Sequence, residues 1–200
     1  MDLITLRQRL GITPAGIIGV PAPSDDAMNL VRAPLVPAAV LVGIQHGAEP
    51  GILLTKRAFH LSRHAGQVAF PGGRIDPEDA SAEAAALREA EEEIGLNAAD
   101  VELIGRLPDY ATGTGFRISP ILALLPSGLT LRAQEAEVEE IFTLKLETLL
   151  DPEAPQRQRA EFRGRTREFW VWPHPTHYIW GATAAILVNL SHRLRVKMAA

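Results

Sequence analysis

The chain has 200 residues, 46% of them hydrophobic, a formal net charge of -4 and no cysteine. That length supports one hydrophobic core rather than two independent domains, and the mild acidity argues against a broad nucleic-acid or membrane-binding face. Without cysteine there are no disulfides, thiolate metal sites or cysteine nucleophile.

The start, MDLITLRQRLG, lacks the continuous apolar segment of a secretion signal, and no run approaches the roughly 18 apolar residues of a membrane span, so a cytoplasmic protein is expected. Residues 2–10 carry Leu3, Leu6 and Leu10 at helical spacing and predict a short amphipathic helix. Residues 11–37 are rich in proline and glycine and read as irregular, apart from a turn of helix over 26–31. Residues 1–37 thus form an N-terminal helix and irregular arm, a packing or dimerisation element, ahead of a main domain over 38–200.

Two short β-branched and leucine-rich runs, 38–44 and 52–57, flank the turn QHGAEPG and predict a hairpin. A polar, basic loop over 59–65 leads to a third strand over 67–70 and then to a tight turn at Gly72 and Gly73. From Asp79 or Ser81, either able to cap a helix, to the stop at Gly95, the residues are mostly strong helix formers. On that helix Leu87, Ala90 and Ile94 fall on one side, while Glu89, Glu92 and Glu93 project from nearly the opposite side within an arc of about 100°. Like charges so placed repel, the i,i+4 pair Glu89 and Glu93 by roughly a few tenths of a kcal/mol in an isolated helix. A hard divalent cation among them, Mg²⁺ or Mn²⁺, would relieve this. The competing reading is a solvated acidic face.

Further along, 101–107 predicts a strand and 109–115 a flexible turn. Residues 117–125 form a largely buried strand in which Pro120 implies an edge or a bulge. An acidic segment, 134–140, precedes a strand over 141–144 and a short helix over 147–150. Two strands lie within 161–172 around Arg163-Gly164-Arg165, and an apolar helix runs over 182–196.

Arg88-Glu89-x-x-Glu92-Glu93-x-Gly95-Leu96, preceded by Gly72-Gly73, resembles the Nudix box, G-x5-E-x7-R-E-U-x-E-E-x-G-U, with Ala90 as the first apolar position. Here 14 residues rather than 13 separate Gly73 from Arg88, so the early glutamate position falls on Asp79 counted forward or on Ala80 counted back. Upstream, Leu53-Leu54-Thr55-Lys56-Arg57-Ala58, then Gly66 and Phe70-Pro71-Gly72-Gly73, resembles the coenzyme A motif of the CoA pyrophosphatase branch. One position departs: the second arginine of that motif falls on Ser62, with Arg63 beside it.

The resemblance covers about residues 38–190 and implies the Nudix fold, an α/β/α sandwich with a mixed sheet. It implies a Mg²⁺- or Mn²⁺-dependent hydrolase that cleaves the diphosphate linkage of CoA or its thioesters to 3',5'-ADP and 4'-phosphopantetheine or its acyl form. By the same likeness Glu89 and Glu93 are the firmest metal ligands and Glu92 the next, and Arg88 holds the glutamates in place, against the plainer reading of an ion pair with Glu91 or Glu92. The general base is a glutamate of the box or of a later loop, where Glu137 and Glu140 are the candidates. Gly72 and Gly73 let the backbone approach the metal, although a strand-to-helix turn also favours glycine. Arg57, Arg63, His60 and His64 are candidates to meet the diphosphate or the 3'-phosphate, while His174 and His177 read as structural. The expected partner is a small molecule, with a homodimer as the candidate assembly. Two alternatives stand beside this: another nucleoside diphosphate derivative (NADH, ADP-ribose or an oxidised dNTP), and a non-catalytic ligand-binding domain, which would be free to lose the three glutamates.

Overall fold

The computed structural model describes residues 3–11, 34–162 and 164–195. The expected turn of helix over 26–31, most of the arm that holds it and the last residue of the expected C-terminal helix, Val196, lie outside the described residues.

An eight-stranded mixed sheet forms the centre, in the order β3-β2-β1-β7-β5, with three further strands attached at its flanks. Strand β1 (Val36–Gln45) runs parallel to β7 (Phe116–Leu125) over its whole length, Val36 facing Phe116 and Gln45 facing Leu125. On its other side β1 pairs antiparallel with β2 (Gly51–Arg57) at the hairpin end and with β4 (Gly72–Arg74) at the opposite end. Strand β2 diverges from β1 after the hairpin, picking up β3 (Val68–Ala69) on one edge and β8 (Val138–Lys145) on the other. The outer edge of β7 carries β5 (Glu102–Arg106) and β6 (Tyr110–Ala111).

Period-two alternation sends successive side chains to opposite faces. Ala39 and Leu41 of β1, Leu53 of β2 and Ile121, Ala123 and Leu125 of β7 meet helix α2 (Ala82–Ile94) through Ala85, Ala86, Ala90 and Ile94. Val42, Ile44, Ile52, Leu54, Leu122 and Leu124 face the other way. They form the larger core with α1 (Leu3–Gly11), α3 (Leu146–Leu150) and α4 (Gly181–Arg195). Arg193 of α4 is buried and donates to the carbonyls of Leu10 and Arg106, tying α1 and β5 to the C-terminal helix. A separate antiparallel sheet, β9 (Gln156–Phe162), β10 (Arg165–Trp172) and β11 (Ile179–Trp180), leads directly into α4.

Three local expectations change. Pro120 sits in an interior strand, because β7 is paired on both sides. Its carbonyl accepts from Leu107 N–H at 3.0 Å, so its own nitrogen faces the same flank, where the chain passes between β5 and β6 and no ladder donor is needed. Gly72 and Gly73 form a short strand on β1 rather than a turn. The third change concerns α2: Glu93 lies among its buried residues with Ala90 and Ile94, not opposite them.

Candidate active site

Helix α2 starts at Ser81, whose side chain accepts from Ala84 N–H, and stops at Gly95, whose left-handed backbone (φ 65°) returns its N–H to the Glu91 carbonyl. These caps fix the phase at which the glutamates meet the sheet. The helix crosses β1 and β4 where alanines let the backbones come close, and the carboxylates of Glu89 and Glu93 enter the space above β4.

Both glycines of β4 are needed there. Gly72 has φ 152°, and a Cβ on it would stand 2.4 Å from the Ala39 carbonyl oxygen. A Cβ on Gly73 would lie 2.5 Å from the Glu89 carboxyl carbon, so the missing side chain makes the room that this carboxylate fills. Gly72 N–H donates to Glu93 Oε2 at 3.2 Å, and the Arg57 guanidinium stands 3.8 Å from Glu93 Oε1.

The three helix glutamates have different surroundings. The Glu93 side chain is 5% exposed, Glu89 17% and Glu92 60%. Burial raises the Glu93 carboxyl to about 7, against the pull of the Gly72 N–H and Arg57 and with help from the charges of Glu89 and Glu137. Burial also raises Glu89, offset in part by Arg88. Two adjacent carboxylates are therefore held inward short of positive charge.

Arg88 organises the solvent side of this pair. Its Nε and Nη2 grip both oxygens of Asp79 at 3.1 and 3.0 Å, and Nη1 is shared between Glu89 Oε1 at 3.0 Å and Glu92 Oε2 at 3.1 Å. Nη2 also donates to the Arg74 carbonyl at 3.2 Å. Asp79, held below the usual carboxylate range chiefly by the Arg88 bond, additionally accepts from Asp76 N–H. It is the residue the forward count from Gly73 selected, and its fork to Arg88 is what the sequence did not show.

Glu137 is exposed, yet near enough for its charge to act on both Glu89 and Glu93. Its carbonyl accepts from Ala58 N–H, next to Arg57, and the preceding strap is bonded to the end of α2 by Gln134 N–H to the Glu93 carbonyl. Glu140 is not brought to this cluster. It shares a strand face with Phe142, which packs on the α4 core, and its Oε1 is 3.5 Å from His177 Nε2. His177 stacks on Phe142, and His174 Nδ1 accepts the backbone N–H groups of Thr176 and His177.

The loop between β2 and β3 stands beside the cluster. Arg63 and His64 are exposed on it, His64 Nδ1 bonding Gln67 Oε1 at 2.8 Å, and His60 Nε2 donates to the Ala136 carbonyl at 3.1 Å.

Among the described residues no three histidine, aspartate or glutamate side chains form a self-contained metal cage. Mg²⁺ does not require one: it is commonly held by one or two carboxylates, with water and substrate phosphate oxygens completing an octahedron. Glu89 and Glu93, crowded, inward and backed by side-chain-free Gly73, fit that description, with Glu92 available on release from Arg88.

A family model described as the NUDIX domain matches residues 34–175. The Uncharacterized Nudix hydrolase NudL of Escherichia coli K12 is 42% identical over 160 residues, covering 80% of this chain and 83% of that protein. The protein of the same name from Salmonella newport matches with the same identity and coverage. Among solved structures, the Nudix hydrolase RenU from M. smegmatis is 24% identical, covers 56% of this chain and 72% of its own, and superposes with a TM-score of 0.48.

Proposed function

The chain belongs to the Nudix hydrolase family, and from that premise we propose that it is a Mg²⁺- or Mn²⁺-dependent diphosphatase of CoA or its thioesters, releasing 3',5'-ADP and 4'-phosphopantetheine or its acyl form. The observation that carries this reading is the approach of Arg57 to Glu93 at 3.8 Å. It sets the strand that resembles the coenzyme A motif, and the basic loop that follows, against the carboxylate pair.

Cleaving a diphosphate demands that phosphoryl charge be neutralised and a water activated, which is the chemistry a bound divalent ion supplies. Glu89 and Glu93 hold the ion, and Arg88, anchored by Asp79, keeps Glu89 and Glu92 aligned. Glu137 receives the proton of the attacking water, because it alone of the two later candidates shares the field of the helix glutamates. Arg57 and Arg63 meet phosphate oxygens, which guanidinium forks match. The substrate is a small molecule; no helix among the described residues is long and apolar enough to cross a membrane.

Incubation with CoA, NADH, ADP-ribose and 8-oxo-dGTP, each with Mg²⁺ and with Mn²⁺, followed by chromatography of the products, tests the proposal. CoA should be hydrolysed well ahead of the others. Faster turnover of another compound would replace the substrate, and binding without turnover of any would make the chain a ligand-binding domain.

A further inference from the structure

The loop between β2 and β3 carries an aromatic ring that the carboxylate cluster does not use. Phe59 is 62% exposed although it is a large apolar side chain. A single exposed apolar residue is ordinary; this one is fixed in its exposed position. Its loop is closed by Arg57 N–H to the Gln67 carbonyl at 2.9 Å and Gly66 N–H to the Arg57 carbonyl at 3.1 Å. Gly66 is left-handed (φ 68°), and a Cβ there would lie 2.8 Å from Phe59 Cε1, so the ring rests against a position that only glycine leaves open. Lys56 Nζ stands 4.8 Å from the ring centroid.

The residues on either side tie Phe59 to the site. Two positions before it, Arg57 meets Glu93, so the two backbones are within about 7 Å along the chain. Immediately before it, Ala58 N–H donates to the Glu137 carbonyl, and immediately after it His60 donates to the Ala136 carbonyl. A pre-positioned aromatic face, with Arg63 on the same loop, is a surface suited to a ligand that is both planar and anionic.

We propose that Phe59 is the platform on which the purine base of the substrate stacks, with Arg63 of the same loop as the cationic partner of the phosphate on its ribose. This rests on the reading of the chain as a hydrolase of a nucleoside diphosphate derivative and adds the contact for the nucleoside half.

The test uses 3',5'-ADP as the probe, with its dissociation constant measured by titration calorimetry on the full chain in Mg²⁺, so that binding is read without turnover. Stacking of a base on an aromatic side chain predicts that F59A weakens binding about fivefold or more, while F59W stays within fivefold of the natural protein. F59L, which keeps apolar bulk and removes the π face, should behave like F59A. No binding of the probe by the natural protein, a loss below fivefold in F59A, a loss of fivefold or more in F59W, or F59L within fivefold of the natural protein would each overturn the proposal. Failure of the natural protein to hydrolyse CoA would instead strike the substrate reading, and the calorimetry separates the two.

Discussion

Two stretches of this chain are dense in glutamate, residues 89–93 on α2 and residues 135–140 leading into β8, and Glu93 of the first and Glu140 of the second end in opposite circumstances. On α2 the carboxylates of Glu89 and Glu93 are turned in against Gly73 and Gly72, and burial makes both reluctant to ionise. On β8, Glu140 is 47% exposed on the other side of the sheet beside His177. The number of acids in a segment therefore says little. What separates the buried arrangement from the solvated one is whether the backbone leaves room for a carboxylate to be buried beside another, with the nearby guanidinium shared among several acids.

The comparison breaks most visibly in activity. E93Q keeps the shape of the side chain and removes its charge, and should lower kcat by about a thousandfold, as loss of a group that organises transition-state charge does. Circular dichroism should show an unchanged fold, and an E93Q enzyme with kcat near the natural value would mean the inward carboxylates are not the reactive ones.

Stability against pH sharpens it next. Because the Glu93 carboxyl is raised from 4.5 to about 7 in the folded chain, its contribution is fully present at low pH, where both states are protonated. It is lost as pH rises through the window between those values, since the unfolded chain releases the proton first. Urea unfolding of the metal-free protein should show a loss of up to about 3 kcal/mol across that window, absent in E93Q and reversed by adding Mn²⁺ at the high end. A flat profile in the natural protein would place Glu93 in water rather than in the site.

Asp79 acts one step back, through Arg88. Removing such a supporting partner commonly costs about 10–100-fold in metal affinity, so D79A should weaken Mn²⁺ binding by that much, read by titration calorimetry. Smallest of all is E140Q: Glu140 lies beside His177 and outside the carboxylate cluster, and kcat should change less than twofold. A large loss in E140Q would bring Glu140 into the chemistry beside Glu137.

Much of the scaffold was readable because local signals agreed with it. Ser81, Gly95 and the alanine-rich run between them specify α2, and the β-branched and leucine-rich runs 38–44 and 52–57 around a glycine-bearing turn specify the hairpin. Helical phase sets Glu93 only about 60° from Ala90, but a rule that counts glutamate outward as polar hides this, and here the buried arc is set by what β4 leaves empty. Pro120 misleads for a related reason: propensity says an edge or a bulge, and only the break between β5 and β6 shows where the missing donor goes. Likewise Gly72 and Gly73 spell a turn from sequence, and it takes the register with Ala39 and Val40 to make them a strand. Asp79 and Glu137 carry no periodicity at all. Asp79 reaches Arg88 from just ahead of α2, and Glu137 acts on the helix carboxylates through its charge.

Diffraction from crystals grown with Mn²⁺ and a non-hydrolysable diphosphate, collected at the manganese edge, tests the central claim most directly. Anomalous density bonded to Glu89 and Glu93 and to a phosphate oxygen, beside Gly73, is the expected result. Manganese bound elsewhere with those two carboxylates empty, or a diphosphate seated away from them, would contradict it.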